Sequence, residues 1–94
     1  MIVGFGDAQT KLVWAGARSR KLPAHIQQTA RRKLRQIGRA KSPHELAVPR
    51  GNRLEQLKGD RKGTYSVRIN DQWRITFYWR DGDAHDVRIK DYHS

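Results

Sequence analysis

The sequence predicts an α+β fold, an antiparallel twisted sheet with two N-terminal helices packed on one face. Three observations carry this. Apolar residues recur at helical spacing in the first forty residues, at Ile26, Ala30, Leu34 and Ile37. After about residue 54 the period changes to two, the period of a half-buried strand. Asp81-Gly82 separates two such runs and is a strong hairpin pair.

Residues 2–5 read as a short strand. Asp7 can cap a first helix bearing Leu12 and Val13, which ends near Gly16. Arg18-Ser19-Arg20-Lys21 follows as a basic connector. The clearest helix spans roughly 23–40, with Pro23 in its first turn. Its apolar stripe faces inward, and Arg31, Arg32, Lys33, Arg35 and Arg39 occupy the rest of its surface. Ser42-Pro43-His44-Glu45 matches a capping box, so one short helical turn should start there and stop by Pro49. Pro49-Arg50-Gly51-Asn52 is a loop, and Leu54 and Leu57 suggest a short irregular strand. A turn rich in glycine and charge follows over Lys58–Gly63.

Tyr65, Val67 and Ile69 then alternate with polar residues up to a tight connection at Asp71-Gln72. Trp73, Ile75, Phe77 and Trp79 form the next apolar face. Ala84 to Lys90 is the last strand, with Val87 and Ile89 inward. The expected order is β-α-α-short helix-β-β-β-β, one domain over residues 1–94, with no repeat or low-complexity linker.

Composition narrows the function. The chain has 94 residues, 36% of them hydrophobic, enough for one small core. It has no cysteine, which excludes disulfides, thiolate zinc sites and a thiol nucleophile. No apolar run reaches the roughly 20 residues of a membrane span. The opening Met1-Ile2-Val3-Gly4-Phe5-Gly6 is too short for a signal peptide, so a cytoplasmic location is expected. The net charge of +11 calls for a nucleic acid, an anionic membrane or an acidic protein as partner. Half of the 20 basic residues lie between Asp7 and Glu45, a stretch without an acidic residue.

If the apolar strand residues face the helices, alternation places Arg68, Asn70, Arg74, Thr76, Tyr78, Arg80, Arg88 and Lys90 on the other face, with Tyr92 beyond them. Cations interleaved with tyrosines suit RNA, because guanidinium groups grip phosphates and rings stack on unpaired bases. An ordinary solvated face is the alternative. Metal chemistry is weakly supported, since no histidine pair has i, i+4 spacing. No serine sits in a glycine-flanked elbow, and no Walker loop is present. Phosphodiester cleavage without metal remains. RNA supplies its own nucleophile, the 2′-OH, and needs proton transfer and a cation for the crowded phosphorane. Lys58, Arg74, Tyr92 and His93 have that chemistry. Tyr92 shares the cationic face in a straight strand and His93 does not, so the tail must bend after Lys90 to unite them.

The run Leu57-Lys58-Gly59-Asp60-Arg61, Gly63, Tyr65-Ser66-Val67-Arg68-Ile69-Asn70, Gln72-Trp73-Arg74-Ile75 and Phe77, ending in Asp91-Tyr92-His93, resembles the HigB-type toxins of the RelE superfamily. The specific part covers roughly residues 53–93. The resemblance implies a bacterial type II toxin with a RelE-like fold that cleaves mRNA on translating ribosomes without metal or other cofactor. It implies a helix-turn-helix antitoxin of the HigA type as partner. Lys58 and Arg74 would bind and stabilise the phosphate, and Tyr92 and His93 would assist proton transfer or substrate placement. Asp91 would orient a basic neighbour or contact a base, and Gln72 would contact substrate. Arg68, Arg80, Arg88 and Lys90 extend the RNA-binding face, and Arg31, Arg32, Lys33, Arg35 and Arg39 would dock to ribosomal RNA.

One position departs from the pattern. Some HigB proteins have a histidine three residues before the lysine that matches Lys58, and here it is Glu55. A carboxylate can serve as a general base if its pKa is raised. It can equally be a solvated partner for Arg53 or Arg74. Two other functions fit the same charge: a non-catalytic basic RNA- or DNA-binding module, and a protein that binds an acidic partner.

Overall fold

The computed structural model describes residues 1–59 and 62–92. Two helices come first, α1 (Ala8–Trp14) and α2 (Ala24–Arg39). Two 3-10 turns follow, Pro43–Ala47 and Arg50–Asn52. The strands are β1 (Glu55–Gln56), β2 (Thr64–Arg68), β3 (Trp73–Arg80) and β4 (Asp83–Asp91), which pair antiparallel in the order β1-β2-β3-β4. The expected α+β arrangement is what forms.

Asp7 caps α1 as its spacing predicts, its Oδ1 accepting from Thr10 N at 2.7 Å. Pro23 stands one position earlier than expected, as the residue before the first helical one in α2. The stripe Ile26, Ala30, Leu34 and Ile37 is buried against Val67, Ile75, Phe77, Val87 and Ile89 of the sheet. Each of the buried Ile, Leu, Val and Phe side chains contributes about 1.5–3 kcal/mol, and Leu34→Ala would cost about 2–5 kcal/mol. Thr10, also buried, accepts from Ile89 N at 2.9 Å and so ties α1 to β4.

Four local expectations are corrected. Residues 2–5 form no full strand; Ile2 and Phe5 make isolated parallel bridges to Ala84 and Val87, beside β4. Ser42 makes no side-chain cap, and Glu45 reaches past it to Lys41 N at 3.1 Å, so the capping box does not close and a tighter 3-10 turn forms. The basic connector is anchored by a buried polar network: Gln27 Nε2 donates to Ser19 O and Leu22 O, and Ser19 N donates to Gln27 Oε1. Strict alternation also fails in β4, where Ala84 and Val87 are both fully buried although three positions apart. Thr76 pairs with Arg88 but Tyr78 pairs with His85, so β4 carries one extra residue. Asp86 sits in this bulge at φ +52°, and the extra residue restores the inward phase.

The hairpin between β3 and β4 turns on Asp81 and Gly82, at φ +53° and +81°. Both values are positive, as a two-residue type I′ turn requires. Gly63 is also at positive φ, and a Cβ there would come 2.8 Å from Tyr78 Cε1, so only glycine lets that ring lie flat over the β2 entry.

Candidate RNA-binding and catalytic site

Cross-strand register builds the open face in rows. Glu55, Ser66, Thr76 and Arg88 lie opposite one another across the four strands. The next row holds Arg68, Arg74 and Lys90. These residues share the face because each is an even step from the others along its strand.

Arg74 is the fixed point. It is only 8% exposed, which alternation alone does not reveal. Its Nε donates to Ser66 Oγ at 2.9 Å, and one terminal nitrogen donates to Arg53 O at 2.6 Å and Ser66 O at 3.3 Å. The other terminal nitrogen faces Glu55 Oε1 at 3.6 Å. The guanidinium carbon lies 5.8 Å from the centroid of the Tyr92 ring. A cation held this way has its orientation set by the fold. Glu55 is thus an ion-pair partner of Arg74, one of the two positions expected for it.

Tyr92 is brought to Arg74 as alternation predicts, and its backbone N donates to Gln72 O at 2.7 Å. Gln72 Nε2 donates to Asp91 Oδ2 at 3.0 Å, so these two expected substrate contacts hold each other beside β3. Asn70 turns away from its expected place on the face. Its Oδ1 accepts from Gln72 N and Trp73 N, shaping the tight connection. Lys58 is exposed just after β1, beside a hollow of about 340 Å³ that it lines with Gln56, Leu57 and Lys62. Among the described residues Lys58 makes no ion pair. His93 lies outside the described residues.

Other expected contacts are less free than their charge suggests. Arg68 is paired with Asp71, Arg80 with Asp81 at 3.5 Å, and Arg88 with Asp86 at 3.1 Å. Arg80 stands six residues along β3 from Arg74, about 20 Å away at strand spacing, and is not part of the cluster.

The basic face of α2 divides. Arg32, Arg35 and Arg39 are exposed. Lys33 is not: it is buried, and its Nζ donates to Arg68 O at 2.6 Å. Burial lowers its pKa from 10.5, and the neighbouring Arg32, Arg68 and Arg74 lower it further. Arg31 is half-buried and donates to Val13 O at 2.9 Å, a second bond to a carbonyl at the end of α1 that also accepts from Gly16 N. Both were expected on the RNA-docking surface, and both are committed to the fold instead.

Sequence reasoning missed Ser66 and the Arg53 carbonyl as the clamps on Arg74. Ser66 was within reach, since it alternates with Tyr65 and Val67. The Arg53 carbonyl had no signal, because it is presented by a left-handed residue at φ +43°. Among the described residues no group of three or more metal-ligating side chains occurs.

The comparisons agree with this fold. The profile of the RelE-like toxin of the type II toxin–antitoxin system HigB matches residues 5–93. Toxin HigB-1 of Vibrio cholerae serotype O1 is 42% identical over 67 residues, spanning 71% of this chain and 70% of that protein. Endoribonuclease HigB of Proteus vulgaris is 46% identical over 41 residues, 44% of this chain and 45% of that protein. Among solved structures, YafQ from E. coli superposes with a TM-score of 0.60 at 12% identity, covering 98% of this chain and 94% of its own. The YoeB–YefM complex from Staphylococcus aureus gives 0.59 at 18% identity, covering 100% and 99%.

Proposed function

This chain belongs to the family of RelE-like HigB toxins of type II toxin–antitoxin systems, and from that premise we propose that it is an endoribonuclease that cuts mRNA on the translating ribosome. The observation that supports this most directly is the immobilised Arg74 beneath Tyr92, on an open face with Lys90 beside it.

In the proposed reaction the 2′-oxygen bonds to the adjacent phosphorus and the bond from phosphorus to the 5′-oxygen breaks. The products are a 2′,3′-cyclic phosphate and a 5′-hydroxyl. One proton leaves the 2′-OH and one reaches the departing 5′-oxygen. Arg74 and Lys58 stabilise the charge on the phosphorane. Tyr92 and His93 place the nucleotide and move the protons. Glu55 holds Arg74 in register. The nucleophile is the substrate's own, so the scheme uses no metal ion.

The exposed arginines of α2 would dock to ribosomal RNA through phosphate contacts. The protein's neutralising partner would be a helix-turn-helix antitoxin of the HigA type, and its compartment the bacterial cytoplasm. The test is controlled expression with mapping of mRNA 5′ ends in the same cells. New ends confined to translated frames, and lost in Lys58→Ala, are expected. No new ends, together with salt-sensitive RNA or DNA binding, would replace the enzyme with a binding module.

A further inference from the structure

One cation of α2 is buried, and docking to RNA gives it no use. Lys33 falls in the inward stripe of the helix, three residues after Ala30 and four before Ile37, where an apolar side chain would pack readily. It is 7% exposed, and burial and the positive charges of Arg32, Arg68 and Arg74 all work against its ammonium. What offsets them is the bond from its Nζ to Arg68 O at 2.6 Å. Gln27, Arg31 and Gln36 of the same helix bond outside the sheet.

The place of that bond gives it a use. Ile69 N donates to Trp73 O, so in this antiparallel pair the carbonyl of Arg68 points the other way, off the edge of β2. β1 covers that edge only as far as Ser66. Arg74 takes Ser66 O, and Lys33 takes the next outward carbonyl, about 7 Å further along the strand. Beyond it β2 runs into the tight connection to β3. There Asn70 Oδ1 accepts from Gln72 N and Trp73 N, Gln72 O accepts from Tyr92 N, and Gln72 Nε2 donates to Asp91 Oδ2. Building on the nuclease reading, we propose that Lys33 is a positioning residue: by tying the end of β2 to α2 it fixes the β2–β3 connection, and through Gln72 it holds Asp91 and Tyr92 in place beside Arg74. The Tyr92 ring lies 5.8 Å from the Arg74 guanidinium and is 42% exposed, so little packing fixes it there. A shift of the connection would carry it off the site, and a misplacement of about 1 Å can cost a reaction roughly a hundredfold.

The test uses the intact protein and its Lys33→Met, Asn70→Ala and Ile26→Val variants. Methionine keeps the buried stem and removes the ammonium. Asn70→Ala loosens the connection without touching α2. Ile26→Val trims the same stripe two turns away and leaves the bond to Arg68 in place. Amide exchange at Tyr92 is followed by NMR, beside that of Leu34 in the middle of α2. In Lys33→Met the Tyr92 amide should exchange about tenfold faster relative to Leu34, the low end for the loss of one bond from a charged donor. Single-turnover cleavage of ribosome-bound mRNA at saturating protein should slow by about tenfold, with the half-saturating concentration unchanged. Asn70→Ala should speed Tyr92 exchange likewise, and Ile26→Val should match the parent in exchange and cleavage. Parental Tyr92 exchange in Lys33→Met or in Asn70→Ala overturns the proposal, even where cleavage slows, and so does equal acceleration in Ile26→Val. Faster exchange with parental cleavage overturns it as well. Exchange separates the proposal from the nuclease reading: faster Tyr92 exchange in Lys33→Met, with no cuts by the parent, removes the nuclease and keeps the tether, and parental exchange in a protein that cuts removes the tether alone.

Discussion

Replacing Arg74 should unfold the protein as much as it disarms it. In Arg74→Ala the carbonyls of Arg53 and Ser66 lose a charged donor, and the buried Ser66 hydroxyl loses another. Each orphaned carbonyl costs about 1–1.5 kcal/mol here, near the low end because the arginine lies close to the surface. The hydroxyl can rotate and recovers part of its loss. The ion pair with Glu55 adds only about half a kcal/mol, since Glu55 is 58% exposed. The total is about 3 kcal/mol, a fall of roughly 10–20 °C in the midpoint for a domain of this size. Arg74→Lys keeps the charge but cannot reach Ser66 and Arg53 together, and should lose about half as much. Lys58→Ala, at an exposed position without an ion pair among the described residues, should stay within about 0.5 kcal/mol of the parent while abolishing cleavage. Urea unfolding followed by circular dichroism measures all three. A parental midpoint for Arg74→Ala would refute the clamp, and marked destabilisation by Lys58→Ala would refute its assignment as a purely functional cation.

Three further outcomes follow from other positions. The lowered pKa of Lys33 means that the unfolded chain binds more protons between that value and 10.5, so stability should rise with pH through this window; Lys33→Met should flatten the rise in alkaline urea titrations. Changing Arg32, Arg35 and Arg39 together to glutamine should weaken ribosome co-sedimentation and reduce its salt dependence with little change in stability, whereas Arg31→Ala should lower stability by about 1 kcal/mol through the lost bond to Val13 O, which keeps its bond from Gly16 N. Glu55→Gln should reduce the cleavage rate, because Arg74 loses one side of its clamp, while the acidic limb of the pH–rate profile stays in place; a shifted limb would make Glu55 the general base instead.

The parts of this architecture that periodicity could reveal were legible. The stripe of α2, the positions of the strands and the Asp81-Gly82 turn each express one local rule, and each formed, apart from the break of alternation in β4. The failures share a cause as well. Lys33 and Arg31 look like surface cations because charge is read from residue type, yet a long stem can carry an ammonium or guanidinium to a carbonyl at the edge of another element. The bulge at Asp86 was hidden because only tertiary packing requires Ala84 and Val87 to point the same way. The cluster around Arg74 was legible as a set of residue types, through the family resemblance. Its rigidity was not, because two of its three hydrogen-bond acceptors are backbone carbonyls.

The positive charge is organised in two ways, and the difference bears on how such a protein would engage RNA. On the sheet, Arg68, Arg74, Arg80 and Arg88 each have a carboxylate beside them, so their long-range field is partly cancelled, and the orientation of the buried Arg74 is set. Groups arranged this way discriminate at contact and add little to attraction from a distance. On α2, Arg32, Arg35 and Arg39 recur at i, i+3 and i+7, exposed and without ion-pair partners among the described residues. A stripe of that kind raises the encounter rate with a polyanion and fades with salt. Capture and placement would then belong to different faces of the fold. Neutralising the α2 stripe should therefore slow association, whereas loosening the sheet pairs should leave association intact and spoil the position of the cut.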